Sequence, residues 1–198
     1  MESTEIILNK AEKLFADSGF GSVSMTNIAN ACKMSKANLY HHFSSKEDLY
    51  MQILIRAQKN TQNILEKTKE ITGTYIEKIE FFINEHLNQM LKDPMKYKLL
   101  AREFSDLGLS SRAMPSVGLM EQNLSQIVDL IDQAKNTGEI IEGTDSRLLA
   151  YQLLSPNLTY ITHQNLFDSV FEGLGPSSNK NFSKTLTANL LRGVKRND

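Results

Sequence analysis

The chain has 198 residues, 40% of them hydrophobic and 23% charged, with a formal net charge of −1 at pH 7. It is long enough to bury a substantial core as one large or two small domains, and its composition excludes the fibrous, disordered and disulfide-rich classes. A single cysteine, Cys32, rules out an intrachain disulfide and a cysteine-rich metal site, and fits a reducing cytoplasm.

Trp is absent, there are only 4 Pro and 10 Gly, and long stretches favour Leu, Ile, Lys, Glu, Gln, Asn and Met, a mixture suited to helices. Residues 1–10 lack the basic and apolar regions of a signal peptide, and no apolar run approaches the roughly 18 residues of a membrane span. A cytoplasmic protein with no membrane partner is expected.

Ile7, Ala11, Leu14 and Phe15 recur at helical spacing, and Gly19 ends that first helix in a left-handed conformation. Ser22 or Ser24 caps a short second helix with Met25, Ile28, Ala29 and Cys32 on one face. After Lys33-Met34-Ser35 a third short helix holds Leu39, Tyr40 and Phe43. Two such helices a few residues apart form a helix-turn-helix near residues 24–43. Ser44 or Ser45 caps a longer fourth helix, with Glu47 and Asp48 in its first turn, which runs to about Thr68.

Amphipathic stretches follow near 74–92, 95–106, 115–136, 145–170 and 181–194. Their breaks are Ile71-Thr72-Gly73, Asp93-Pro94, Gly108 to Pro115, Gly138 to Gly143 and Gly173 to Lys180. No strand-like alternation is sustained. The expected fold is all-α with about nine helices. A three-helix helix-turn-helix domain over residues 1–46 is expected to precede a helical ligand-binding and dimerisation domain over residues 47–198.

Residues 33–46 carry Lys33, Lys36 and Lys46, with His41 and His42 and no acidic residue. With a net charge near zero, contact with nucleic acid must be confined to a local basic face of this kind. The stretch GFGSVSMTNIANACKMSKANLYHHFSSKEDLY, residues 19–50, resembles the TetR/AcrR family of bacterial one-component regulators. The matching residues are Phe15 and Gly19, then Ser24, Ile28-Ala29, Ser35-Lys36, Leu39-Tyr40, His42-Phe43, and Lys46-Glu47 with Leu49. They cover the first quarter of the chain. The helical remainder, with KNTGEI at Lys135 to Ile140 and Asp145 beyond it, looks like the family's variable half.

The resemblance implies a homodimer that binds double-stranded operator DNA and a small-molecule effector, without a cofactor. Ser24, Thr26, Tyr40 and Lys46 are then candidates for the phosphate backbone, and Ser35 is a further DNA-binding candidate. Lys36, Ala37, Asn38 and His41, on the outer face of the third helix, would enter the major groove. Asn pairs with adenine, Lys with guanine, and Ala touches a thymine methyl. Lys33 stands where the family places a turn glycine, at a cost of about 1–2 kcal/mol if the residue is left-handed. Ala37 and Asn38 replace residues that are commonly Gly and Thr, which alters the base preference. Glu2 and Glu5 replace a basic arm, so no minor-groove reading is expected.

Adjacent residues on a helix point about 100° apart, so His41 and His42 do not make a metal site. One should be packed and the other should face DNA. Cys32 reads as a small buried hydrophobe rather than a redox sensor.

In the second half, Ile76, Ile79, Phe82 or Ile83, Leu87 and Met90 form a core stripe. Polar and Met groups set among such stripes are the candidate effector contacts: His86, Met90, Arg102, Met120, Asn157, Tyr160 and His163. Pro156 removes a helical bond to the carbonyl of Gln152, and kinks of that kind open cavities. His86 and His163 read equally well as satisfied core histidines. Leu149 and Leu153, with Phe182, Leu186 and Leu190, are the candidate dimer contact, and the resemblance implies a four-helix bundle there. The same stripes could instead pack on their own subunit.

There is no Gly-x-Ser-x-Gly elbow, phosphate-binding glycine loop or His-Glu-x-x-His, and Glu85-His86 lacks the second histidine. No enzymatic activity is expected. The expected function is a ligand-responsive repressor that releases a palindromic operator when a mainly hydrophobic effector binds. An activator of the same fold is the alternative, and a non-specific architectural binder should be far more basic.

Overall fold

The computed structural model describes residues 3–105, 114–170, 173 and 181–195. Among them the regular structure is ten α-helices: α1 (Ser3–Ser18), α2 (Met25–Ala31), α3 (Lys36–His42), α4 (Lys46–Glu70), α5 (Tyr75–Lys92), α6 (Pro94–Ser105), α7 (Met114–Asn136), α8 (Ser146–Thr162), α9 (Gln164–Val170) and α10 (Phe182–Arg192). The expected break from Gly108 lies outside the described residues as far as residue 113, and that from Gly173 lies outside them over residues 174–180. The only strand-like pairing among the described residues is an isolated bridge between Ile140 and Lys195.

The tenth helix comes from one division the periodicity did not show. Residues 145–170 form two helices, α8 and α9, parted at His163. The Thr162 hydroxyl bonds back to the carbonyls of Leu158 and Thr159, and the His163 ring lies 3.2 Å from the Thr159 carbonyl. Side chains that compete for the last carbonyls favour an end to the helix. Pro156 does not end α8, which runs through it.

Two compact units are present, and neither is cut at residue 46. The first comprises Met1–Lys59 and Asp93–Leu119, the second Asn60–Lys92 and Met120–Asp198. The helix-turn-helix therefore shares a unit with α6.

In the first unit, Ile7, Ala11 and Phe15 of α1 are fully buried with Ile28, Leu39, Leu49 and Ile53. Phe15, Phe20 and Tyr50 form an aromatic cluster, Tyr50 meeting Phe15 edge-on at 5.0 Å and Phe20 at 4.9 Å. The Tyr50 hydroxyl donates to Glu103 Oε2 of α6 at 3.2 Å. Gly19 takes a φ of 78° and its N–H closes α1 on the Phe15 carbonyl at 2.9 Å.

In the second unit, α5 packs on α8 and α10. The expected stripe of α5 is buried throughout, and Ile79, Phe82 and Ile83 join Ile131, Leu149 and Leu153 in one core. The KNTGEI segment has a structural task. Glu139 accepts the N–H groups of Tyr75 at 3.2 Å and Ile76 at 2.9 Å, capping α5 from 63 residues away. Burial alone would raise this carboxyl, but those N–H donors, the Thr137 hydroxyl and Lys195 hold it below its ordinary value.

His86 is buried and its ring stacks on Phe82 at 5.6 Å. Burial lowers its pKa from 6.5 to about 4, so the folded protein holds a neutral imidazole at pH 7. A depressed value makes its contribution to stability present above 6.5 and lost as the pH falls from there toward about 4. As the pH is lowered from 6.5 to about 4, urea unfolding should therefore show the wild type losing on the order of 2–3 kcal/mol more stability than His86→Phe loses. Parallel pH profiles for the two proteins would show that the imidazole is not held neutral.

Candidate nucleic-acid interface

Ser24 starts α2 from an extended backbone, and its hydroxyl accepts the Asn27 N–H at 3.1 Å. Asn27 Oδ1 accepts the Ser24 N–H at 2.9 Å, which completes a capping box with Asn in the place usually held by Glu or Gln. The Ser24 hydroxyl also donates to Asn27 Oδ1. It serves the helix end, and its proton is already engaged. Asn27 is a capping residue that the candidate set from the sequence does not include, although its spacing of three from Ser24 marks it.

The end of α2 is a closed turn. The Lys33 N–H donates to the Asn30 carbonyl at 3.0 Å and the Met34 N–H to the Ala29 carbonyl at 3.0 Å. These are the two bonds of a Schellman motif, which needs a left-handed residue between them. Lys33 supplies it with a φ of 54°, the only positive φ outside glycine among the described residues. A residue with a long side chain thus sits where glycine would be relaxed.

Ser35 then caps α3, accepting the Asn38 N–H at 3.1 Å. Within α3 only Leu39 is buried. Lys36, Ala37, Asn38, Tyr40, His41 and His42 are all exposed. One anchor in the core, with Phe43 buried just beyond, leaves nearly the whole helix surface outside. Tyr40 is 46% exposed, with Lys36 Nζ 5.8 Å from its ring centroid. Thr26 is exposed on α2.

Three features differ from expectation. Neither histidine is packed: both are exposed, and His42 Nδ1 lies 3.3 Å from Thr4 Oγ1 at the start of α1. Nothing in a sequence separation of 38 residues signals that contact. Lys46 turns inward, donating to the Phe20 carbonyl at 3.0 Å with its ammonium 4.2 Å from the Phe20 ring centroid. It closes the loop after α1 instead of standing out as a bare phosphate ligand. Cys32 is half-buried rather than enclosed, and burial, opposed by Lys10, raises its thiol pKa. A raised value disfavours the thiolate, the reactive form of a cysteine.

Residues 7–53 match the family model described as bacterial regulatory proteins, tetR family. Over 160 residues the chain is 30% identical to the HTH-type transcriptional regulator UidR of Escherichia coli strain K12, an alignment covering 78% of this chain and 76% of that protein. The chain belongs to the TetR family. Its fold is that of solved relatives. PfmR from Thermus thermophilus superposes with a TM-score of 0.76 at 24% identity, over 96% of this chain and 99% of that one. AibR, solved in complex with isovaleryl coenzyme A and operator DNA, superposes with a TM-score of 0.70 at 18% identity, over 98% of both chains. This TetR-family chain is thus a DNA-binding transcriptional regulator with a helix-turn-helix formed by α2 and α3.

The residues named for effector contact are dispersed. His86, Met90, Asn157 and Tyr160 are buried in the second unit, where Met120 is half-buried. Asn157 Nδ2 donates to the Ile83 carbonyl at 3.0 Å, on the α5 turn that leads to His86. The Tyr160 hydroxyl donates to Asp168 Oδ1 at 3.1 Å, and its ring meets Phe182 at 5.7 Å. His163 is exposed as the C-cap of α8. Arg102 is exposed in the first unit with its guanidinium against Gly19. Among the described residues no group of three or more His, Cys, Asp or Glu is placed to hold a metal.

The dimer candidates also divide. Leu149 and Leu153 are 2% and 1% exposed and belong to the protomer's own core. The same helix points Leu148 and Tyr151 outward at 54% and 67%, and α9 adds Leu166 and Val170. Phe182, Leu186 and Leu190 of α10 are half-buried.

Lys33→Gly should relieve the left-handed strain and stabilise the protein by about 1 kcal/mol. That corresponds to a rise of about 2–4 °C in Tm for a chain of this size. An unchanged or lower Tm would mean that the lysine side chain contributes more than its backbone costs.

Proposed function

We propose that the chain is a homodimeric repressor that holds a palindromic operator through α3 and releases it when a small, mainly hydrophobic effector binds the helical part beyond residue 46. The observation that carries this reading is the exposure of α3, a helix with one core anchor and six outward side chains. A helix built only for packing would bury a full stripe.

Lys36, Ala37, Asn38 and His41 face the bases, while Thr26 and Tyr40 present hydroxyls to phosphates. Ser24, Ser35 and Lys46 hold the ends of the elements that carry them, and the charge of Lys46 adds to the phosphate contact. Two copies of α3 must stand about 34–36 Å apart to meet successive major grooves. The outward apolar residues of α8 and α9, Leu148, Tyr151, Leu166 and Val170, with the half-buried stripe Phe182, Leu186 and Leu190, supply the surface for such a dimer.

AibR, solved in complex with both isovaleryl coenzyme A and operator DNA, supports a fold that takes a small molecule as well as an operator. The proposed contacts for it are His86, Met90, Met120, Asn157 and Tyr160, together with Arg102 and His163. A cytoplasmic site of action follows from this role.

Duplexes selected from a random library by the full-length protein should be palindromic. Asn38→Ala should then lose about 1–3 kcal/mol at one base position per half-site, whereas Tyr40→Phe should weaken all duplexes alike. Selection of no preferred sequence would sink the reading of a specific regulator. A thermal-shift screen of hydrophobic compounds should yield a ligand that lowers affinity for the selected duplex, and DNA should lower affinity for that ligand by the same factor. A tight ligand with no effect on DNA binding would remove effector control.

A further inference from the structure

Arg102 of α6, a candidate effector contact from the sequence, belongs to the first unit, and so does every residue of the cavity it borders. The cavity measures about 280 Å³ and is lined from α1, the loop after it, α4 and α6. Its deeper wall is Phe15, Tyr50, Leu99 and Glu103, all of them buried. Phe20, half-buried, and Arg102, exposed, stand at its rim.

The polar groups here are unequally committed. The Tyr50 hydroxyl donates to Glu103 Oε2 at 3.2 Å, which fixes that carboxyl at the inner end of the cavity. Arg102 has no such tie, since among the described residues no carboxylate pairs with it. Its guanidinium lies over the backbone of Gly19, where a Cβ would stand 3.2 Å from Nη2 and 3.4 Å from Nη1. Glycine there takes the left-handed φ that ends α1 and also leaves room for the planar guanidinium. Lys46 reaches the same loop at the Phe20 carbonyl. Two cations thus meet this loop, against the one carboxylate, Glu103, that lines the cavity.

Packing alone does not account for this arrangement, because cores leave few voids larger than a water molecule. Each wall instead matches one part of a small ligand. Phe15, Phe20 and Tyr50 form an aromatic surface on which a further ring packs offset or edge-on. The planar fork of Arg102 matches a carboxylate. A Glu103 oxygen accepts a hydroxyl hydrogen. The volume is at the small end for ligand sites, which suits a single ring.

We propose that this cavity is a second small-molecule site, in the same unit as the helix-turn-helix. It takes a one-ring aromatic acid carrying a phenolic hydroxyl, with Arg102 on the carboxylate and Glu103 on the hydroxyl. Arg102 apart, it shares no residue with the contacts proposed for a hydrophobic effector, and it depends neither on that reading nor on the operator. A bound ring joins α6 to the loop after α1, and α1 packs on both α6 and α2. Occupancy therefore stiffens the unit that carries α3.

The probe is 4-hydroxybenzoate, titrated into the full-length protein while its amide signals are followed by NMR. Saturation with a Kd of about 0.1–1 mM is expected for so few atoms, with shifts at Gly19, Phe20 and Gly21. Benzoate, which lacks the hydroxyl, and 4-hydroxybenzamide, which lacks the charge, should each bind about tenfold more weakly. Arg102→Ala should weaken 4-hydroxybenzoate about tenfold and leave 4-hydroxybenzamide unchanged, and Arg102→Lys should fall between. Arg102 is exposed, so its loss spares the core, and the comparison of the three compounds on wild-type protein needs no variant.

Equal binding of the three compounds, or equal binding of the probe to wild type and Arg102→Ala, overturns the site. So does a failure to saturate at roughly tens of millimolar. Shifts confined to the second unit also overturn it, and would place the aromatic acid among the contacts proposed for the effector instead.

Discussion

Two backbone hydrogen bonds at the end of α2 set the direction in which α3 leaves it. Lys33 N–H to Asn30 and Met34 N–H to Ala29 close a turn that a single left-handed residue makes possible. Only after that turn can Leu39 reach the core while every other residue of α3 stays outside. The strain at Lys33 is therefore part of what presents the helix. It is tolerated because the surrounding bonds and the burial of Ile28, Ala29 and Leu39 over-determine the conformation.

The short helices also depend on groups that complete their ends. α2 and α3 have seven residues each, below the length at which a helix is stable alone in water. Ser24 with Asn27 and Ser35 with Asn38 supply local caps. Lys46 works at longer range, bringing its charge to the Phe20 carbonyl and ring and so tying the loop after α1 to the start of α4. In the second unit Glu139 does the same for α5, accepting two N–H groups that the helix cannot satisfy itself. These polar residues determine where elements begin, which limits what a surface role for the same side chain can be.

One helix can bury apolar residues on one side and leave others exposed on the opposite side, and α8 does so. Leu149, Ala150 and Leu153 close the protomer core, while Leu148 and Tyr151 on the opposite side remain outward. The polar core positions are similarly divided. Asn157 and His86 are buried with apolar neighbours, and the first is tied to the backbone of α5. Replacing such groups with apolar ones removes a directional contact as well as a charge or dipole.

By itself the sequence determined the all-α fold and the position of the helix-turn-helix, and the family resemblance marked Lys33 as the turn position. Each rests on local information: apolar periodicity, capping spacing, and glycine-type positions that act within a few residues. The tertiary structure decided the rest. Which leucines of α8 close the core depends on where α5 and α10 lie, so Leu149 and Leu153 could not be told from Leu148 by spacing alone. Lys46 on Phe20, Thr4 on His42, and Arg56 on Glu12 join residues 26, 38 and 44 positions apart. Hydrogen-bond direction and burial depend on three-dimensional proximity, and proximity at those separations leaves no periodic trace in the chain.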